Sequence, residues 1–403
     1  MALEPYTKSA EIEPQLCQVI DSNKDVTTKA TKCAKSNSGV GWRQMLIGFL
    51  LICFGISNSW QYKNVHMPSS SSLIASPPAS AFVNTPATLL FTTRHDIQVA
   101  NITRPTGGPQ IDVIVRDLAE AMAIDFYYAK NLVCWTDSGR EIIECAQTNS
   151  SALQPLLRAP KQTVISTGLD KPEGLAIDWY TDKIYWTDGE KNRIEVATLD
   201  GRYQKVLFWT DLDQPRAVAV VPARKLLIWT DWGEYPKIER ASMDGDPLSR
   251  MTLVKEHVFW PNGLAVDLKN ELIYWTDGKH HFIDVMRLDG SSRRTIVNNL
   301  KYPFSLTFFD DRLYWTDWQR GSLNALDLQT RELKELIDTP KAPNSVRAWD
   351  PSLQPYEDNP CAHNNGNCSH LCLLATNSQG FSCACPTGVK LSLQIPVPMG
   401  RRR

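Results

Sequence analysis

The chain is short of most groups that do chemistry. It holds seven histidines in 403 residues, and His280-His281 is their one cluster. No H-E-x-x-H, G-x-S-x-G or glycine-rich phosphate loop occurs, so zinc hydrolysis, serine hydrolysis and nucleotide chemistry lack their usual residues. No enzymatic activity, metal or other cofactor is expected. Charge of either sign is not in excess: 43 Lys and Arg stand against 44 Asp and Glu, a net charge of −1. Without a concentrated basic stripe, nucleic acid is not an expected partner. No apolar run reaches 18 residues, the length that marks a membrane-crossing helix. A run of twelve, Met45–Ile56 (MLIGFLLICFGI), follows Arg43 and suits a signal-peptide core, with a short signal-anchor as the alternative. Residues 1–44 read as a polar leader and 45–57 as the signal-peptide-like segment. Residues 58–88, with SSSSLIASPPAS, read as a disordered linker.

What the chain has instead is a repeat. W-T-D preceded by an apolar residue or tyrosine occurs five times, at Val133–Asp137, Ile184–Asp188, Leu227–Asp231, Ile273–Asp277 and Leu313–Asp317. The tryptophans Trp135, Trp186, Trp229, Trp275 and Trp315 are 51, 43, 46 and 40 residues apart. Such a period signals a repeat architecture. About ten residues ahead of each copy lies a short apolar strand, as in GLAIDW (Gly174–Trp179) and GLAVDL (Gly263–Leu268). An alternating strand follows each copy. Three of these close with Asp-Gly, at Asp200-Gly201, Asp244-Gly245 and Asp289-Gly290, which predicts two-residue hairpins with both central residues at positive φ. Each unit therefore reads as one four-stranded propeller blade.

The first-strand motif occurs six times and W-T-D five. SVRAWD (Ser345–Asp350) lacks a W-T-D partner, and LLFTTR (Leu89–Arg94) with IQVANI (Ile97–Ile102) supplies it from the other end of the chain. The expected fold is all-β: one six-bladed propeller over 89–350, sealed by pairing the two chain ends, which removes exposed sheet edges. The W-T-D residues are expected to be structural, with Trp and Tyr packed between blades and Asp accepting backbone N–H groups at turns. The recurring first-strand acids Asp125, Asp178, Asp267 and Asp310 are expected to be structural too, rather than to hold a cation in the central channel.

Beyond a short linker with Pro351, Pro355 and Pro360 comes Cys361-x6-Cys368-x3-Cys372-x10-Cys383-x-Cys385. This spacing resembles the first five cysteines of an EGF-like module, here a partial one over 361–391, followed by an irregular tail at 392–403. The resemblance implies the pairs Cys361–Cys372 and Cys368–Cys383. Cys385 is left with no sixth cysteine after it, either because the chain is cut short or as a free thiol. A zinc site is the weaker alternative. Cys134 and Cys145 flank one hairpin, and both a disulfide and a reduced buried Cys134 are open. Disulfides imply an oxidising compartment. The sequons at Asn101, Asn149 and Asn367 agree with that, and Asn101 and Asn149 are candidate glycosylation sites.

Five YWTD-type repeats followed by an EGF-like module resemble the low-density-lipoprotein receptor family. Segments such as NRIEVATLDG, WTDWGEYPKIERASMDG, WPNGLAVD, HLCLLAT and CACPTGVKL are more closely similar to the first propeller–EGF unit of the Wnt co-receptors, low-density-lipoprotein receptor-related proteins five and six and Arrow. The resemblance spans about Leu89 to Leu391. It implies a cell-surface or secreted module. The implied partners are Wnt proteins and secreted antagonists with Asn-x-Ile loops, of the sclerostin and Dickkopf type, and Frizzled through a ternary Wnt complex. It also implies ligand contacts on one face of the disk. Asn262 matches the asparagine whose amide pairs with the ligand asparagine, donor and acceptor together. Trp232 and Trp318 match tryptophans on that face, and Arg94, Glu173, Glu190 and Arg216 match polar positions around them. For this to hold, Asn262 must be accessible from solvent. The sequence departs from the family at Ala119-Glu120, where one acid of a pair is missing, and at Cys134 and Ile228, which replace tyrosine. As given, the chain has one propeller–EGF unit and none of the family's further units, membrane span or cytoplasmic tail. It is expected to bind without transmitting a signal by the family route, as a receptor fragment or a soluble form that sequesters ligand. The alternative reading is a lipoprotein- or matrix-binding scaffold.

Overall fold

Every W-T-D strand is buried along nearly its whole length, so it must be covered on both faces and along both edges. In the computed structural model this is met by six four-stranded antiparallel sheets arranged as a propeller, with W-T-D always on the second strand. The structure describes residues 16–19, 88–102, 109–148, 159–339 and 341–392. The apolar segment Met45–Ile56, the linker at 58–88 and Asn149 lie outside them. Asn101 sits at the exposed end of a strand.

The first blade is Ala121–Tyr127, Leu132–Asp137, Ile142–Gln147 and Lys161–Ile165. The next four begin at Pro172–Asp178, Pro215–Val221, Pro261–Asp267 and Pro303–Phe309. The sixth joins Val346–Ala348 to Thr88–Thr92, Ile97–Asn101 and Gln110–Val115. In this seam Leu89 pairs with Ala348 and Phe91 with Val346. Thr92 N donates to Ser345 O at 3.0 Å and Asn344 N to Thr92 O at 2.7 Å. The ring is thus closed by both ends of the chain, as expected.

The threonine of the motif ties neighbouring blades together. In each W-T-D blade the first strand shifts register beside the motif, and the threonine oxygen accepts a backbone N–H there. Thr276 Oγ1 accepts from Gly263 N at 2.9 Å and donates to Phe304 O of the next blade at 2.6 Å. Thr316 does the same with Ser305 N at 2.9 Å and Asn344 O at 2.8 Å, and Thr187 with Gly174 N and Arg216 O. The approach is so close that a Cβ on Gly263 would lie 2.4 Å from Phe304 O. In the seam, Thr92 takes the same place and accepts from Ser345 N at 2.9 Å.

The motif aspartates accept backbone N–H groups, from both sides at Asp188, Asp277 and Asp317 and from the entering loop alone at Asp137 and Asp231. Asp277 receives Lys279 N and His280 N from the turn after its strand, and also Phe259 N from the loop that enters the blade. The five tryptophans are 0–1% exposed, and together they form much of the material between blades. Of the first-strand acids, Asp125 accepts Ile177 N of the next blade at 2.8 Å, Asp178 caps Tyr180 N, Asp267 caps Lys269 N and Asp310 pairs with Arg312.

The three Asp-Gly hairpins are not two-residue turns. Gly201, Gly245 and Gly290 have positive φ, whereas Asp200, Asp244 and Asp289 do not. Gly201 N bonds Thr198 O, and Thr198 N bonds Tyr203 O, so the ladder ends earlier and a type I turn is followed by a left-handed glycine.

The implied pairs Cys361–Cys372 and Cys368–Cys383 are formed, beside the hairpin Leu371–Leu374 and Phe381–Ala384. Cys385 is disulfide-bonded, which corrects the free-thiol alternative. Cys134 and Cys145 face each other across one ladder and are joined. They occupy the slot that Tyr185 and Val196 fill in the second blade. The module packs Leu371, Leu373 and Phe381 against Trp179, Tyr180, Leu207 and Met243 of the propeller. The linker is tied down as well: Trp179 Nε1 donates to Pro355 O at 2.8 Å and Gln354 binds Tyr128 N. A further ladder pairs Leu16–Val19 with Val389–Ser392. It exists only in a chain that keeps the residues ahead of the apolar segment.

Two predictions follow from the ring's hydrogen bonds. Thr276→Val leaves Gly263 N–H and Phe304 O buried without a partner, and about 3 kcal/mol of stability should be lost in urea unfolding, while Thr276→Ser retains most of it. A loss below about 1 kcal/mol would show that the bridge is dispensable. The Asp231 carboxyl is pushed up to about 7 by burial, with Asp213 N–H and the Lys237 charge pulling it back. An unfolded aspartate titrates near 3.9, so the folded state holds this proton more tightly. The associated stability is present below about pH 4 and is lost as pH rises towards about 7. The fall in Tm between those pH values should therefore be shallower in Asp231→Asn; equal slopes refute the assignment.

Candidate binding face

The register shift that places the threonine also sets one residue of each first strand apart from the ladder. Following the residue that opens each strand, these are Met122, Glu173, Arg216, Asn262, Phe304 and, in the seam, Asn344. Five of the six line one small cavity of about 40 Å³. Met122, Glu173, Arg216 and Asn344 also line a larger one of about 560 Å³. The propeller repeat therefore delivers six different side chains to one place at the end of the ring towards which the W-T-D strands run.

Their polar atoms are incompletely satisfied. Asn262 Nδ2 donates to Pro303 O at 3.4 Å, and Asn262 Oδ1 is buried with no partner. Glu173 is 8% exposed and lies between Arg216 Nη1 at 3.3 Å and Lys171 Nζ at 3.4 Å. Burial pushes its carboxyl up, against the pull of both cations. Glu173 Oε2 and Arg216 Nε make no hydrogen bond of good geometry. Buried polar atoms are usually paired in folded proteins, and at this cavity Asn262 Oδ1 and Arg216 Nε are left able to accept from and donate to a polar ligand or water.

Beside them runs a row of rings. The Arg216 guanidinium lies 4.0 Å from the Trp232 ring centre, a cation–π contact. Trp232 meets Trp260 at 5.8 Å, Trp260 meets Tyr302 at 6.0 Å, and Tyr302 stacks on Trp318 at 5.6 Å. Trp318 stacks in turn on Phe304 at 4.0 Å. Trp232, Trp260, Tyr302 and Trp318 are half-buried, and the indole N–H groups of Trp232 and Trp318 have no acceptor. Burial raises the Tyr302 hydroxyl pKa, against the Arg216 charge and a bond from Asn262.

Of the residues singled out from sequence, Arg94, Glu173, Arg216 and Trp318 line the large cavity and Asn262 the small one. Trp232 joins through Arg216. Glu190 is exposed and reaches the group only through Lys171, at 3.7 Å. The position of Asn262 needs correction: it is 5% exposed, so its amide is not on the open face and is reached only through the cavity. Trp260, Tyr302 and Phe304 were missed. They flank the proline that opens a first strand, in WPNG and YPFS, and aligning the repeats on that position, where the first blade has Ala121, reveals the column. Among the described residues, no group of three His, Cys, Asp or Glu is placed to hold a metal.

A six-bladed ring of W-T-D repeats with a disulfide-stapled module on its flank and one polar–aromatic cavity is the architecture of a YWTD β-propeller. Residues 182–221, 225–268 and 271–308 match the low-density lipoprotein receptor repeat class B family. The chain is 44% identical over 307 residues to low-density lipoprotein receptor-related protein 5 of Mus musculus. It is 34% identical over 306 residues to the vitellogenin receptor Yl of Drosophila melanogaster. Each match covers 75% of this chain, but only 18% and 15% of those relatives, so the chain spans less than a fifth of either. A chain in the crystal structure of a nidogen/laminin complex is 30% identical and superposes with a TM-score of 0.58, covering 66% of this chain and 98% of that one. Within 182–308 the chain therefore carries low-density lipoprotein receptor class B repeats, and it is similar to receptors built on them.

Proposed function

We propose that the chain is an extracellular ligand-capture module of the Wnt co-receptor type, binding Wnt proteins or their secreted antagonists through a short Asn-x-Ile loop. The supporting observation is the convergence of Asn262 Oδ1 and Arg216 Nε, neither hydrogen-bonded, with the buried Glu173 ion-paired to Arg216, beside a row of half-buried rings. A ligand asparagine entering the cavity donates its amide N–H to Asn262 Oδ1. The neighbouring isoleucine lies against the rings. An aromatic and arginine centre with a polar surround is the composition of an interface hot spot. The similarity to a nidogen/laminin chain favours a matrix-binding scaffold as the second reading.

Fluorescence polarisation with a labelled, end-capped Asn-Ala-Ile peptide and the purified chain separates the two. The peptide should bind, and Asn262→Ala or Trp318→Ala should weaken it at least tenfold, about 1.4 kcal/mol. Gly278→Ala is a subtler probe, because its Cβ would lie 2.6 Å from Asn262 Nδ2. It should displace the amide and weaken binding while circular dichroism is unchanged. If the folded chain binds neither the peptide nor any Wnt, the co-receptor reading fails and the scaffold reading takes its place.

A further inference from the structure

The charges around the large cavity are unequal, and the imbalance lies at the seam. Arg94, Lys171, Arg216 and Lys341 line it against two carboxylates, Glu120 and Glu173. Glu173 is already shared by Lys171 and Arg216, at 3.4 Å and 3.3 Å, and Lys171 reaches Glu190 as well. Arg94 and Lys341 form no ion pair among the described residues. They come from opposite ends of the chain: Arg94 follows the seam strand Thr88–Thr92, and Lys341 precedes the seam strand Val346–Ala348. Both are exposed, so neither bears the cost of a buried charge. Ring closure sets them on one cavity with Glu120 as the remaining unshared acid. Asn344, between them, is held by its bond to Ala121 O at 2.7 Å, which fixes the floor.

We propose that Arg94 and Lys341 form a carboxylate subsite, and that the preferred ligand carries an aspartate or glutamate side chain next to its Asn-x-Ile anchor. The proposal rests on the capture function above and adds a specificity to it. An arginine fork receives a carboxylate through two parallel N–H···O bonds, and the lysine adds a movable point charge. The cavity of about 560 Å³ has room for such a side chain beside the anchor. Glu120 disfavours a second acid, so a single negative charge is the best fit.

Peptides capped at both ends, so that the side chain is their only carboxylate, test this on the full chain. Three carry glutamate, glutamine or lysine beside Asn-Ala-Ile, with the extra residue placed before the anchor in one set and after it in another. A fourth is neutral but has a free C-terminus. Glutamate should bind about tenfold more tightly than glutamine in one of the two sets, with an advantage that shrinks in high salt. Lysine should be weakest. In Lys341→Glu the order of glutamate and lysine should reverse, which a merely structural loop residue would not produce. A free C-terminus that binds more tightly than the capped peptides, while glutamate and glutamine bind alike, would reassign the subsite to chain ends and overturn the side-chain proposal. Equal binding of every peptide overturns the subsite and leaves the capture function standing. Binding of none overturns both.

Discussion

One hydroxyl, repeated round the ring, holds the blades to each other. A propeller blade has nothing on its faces but its neighbours, and side-chain packing alone would let two sheets slide. Thr187, Thr276 and Thr316 oppose that by accepting from their own first strand and donating to the first strand beyond, as Thr276 does between Gly263 N and Phe304 O. At Thr187 and Thr276 the next blade comes so close that a Cβ would lie against its backbone, and glycine stands there, at 174 and 263. The rest of the motif follows from that geometry. The tryptophan fills the wedge that opens between blades, and the aspartate gathers the loop N–H groups at the rim, as Asp277 gathers Phe259 N and Lys279 N.

The frame and the site are products of the same irregularity. A perfect ladder would keep every first-strand residue in a sheet face. The register shift that the threonine accommodates removes one residue per blade from that duty, and packing no longer dictates what it is. The result is Met122, Glu173, Arg216, Asn262, Phe304 and Asn344, six side chains from apolar to charged in equivalent slots. A site built this way is rigid, because its members stand on buried strands. Some of the six also link blades, as Asn344 does through Ala121 O and Arg216 through Glu173.

The repeat was legible because its demands are local and recur. Tryptophan spacing, first-strand motifs and the orphaned halves at Leu89 and Ser345 together imply six blades and the seam. The disulfide framework of the module was legible from its resemblance. Three things were not. The Asp-Gly turns were misread because hairpin length depends on where the ladder ends, and Thr198 leaves it early by bonding Tyr203 O. Asn262 was placed on the open face because a strand's alternation carries no sign of a register shift, and that shift decides its burial. The bond of Cys385 could not be read, because the EGF-like spacing ends before a sixth cysteine. Trp260 and Tyr302 show the opposite case: the information was present, but it lay in a column across repeats rather than in any one of them.

The seam also has a bearing on how the protein is made. Three strands of the sixth blade are synthesised first and its fourth, Val346–Ala348, last. Until Ala348 leaves the ribosome, the opening strand Thr88–Thr92 has one unpaired edge, and so does the growing end of the half-built ring. The domain cannot complete itself piecemeal during translation, and some 250 residues must be sheltered from aggregation before the last three dock. Ring closure is therefore the last step open to the propeller, taken only after every other strand has been made.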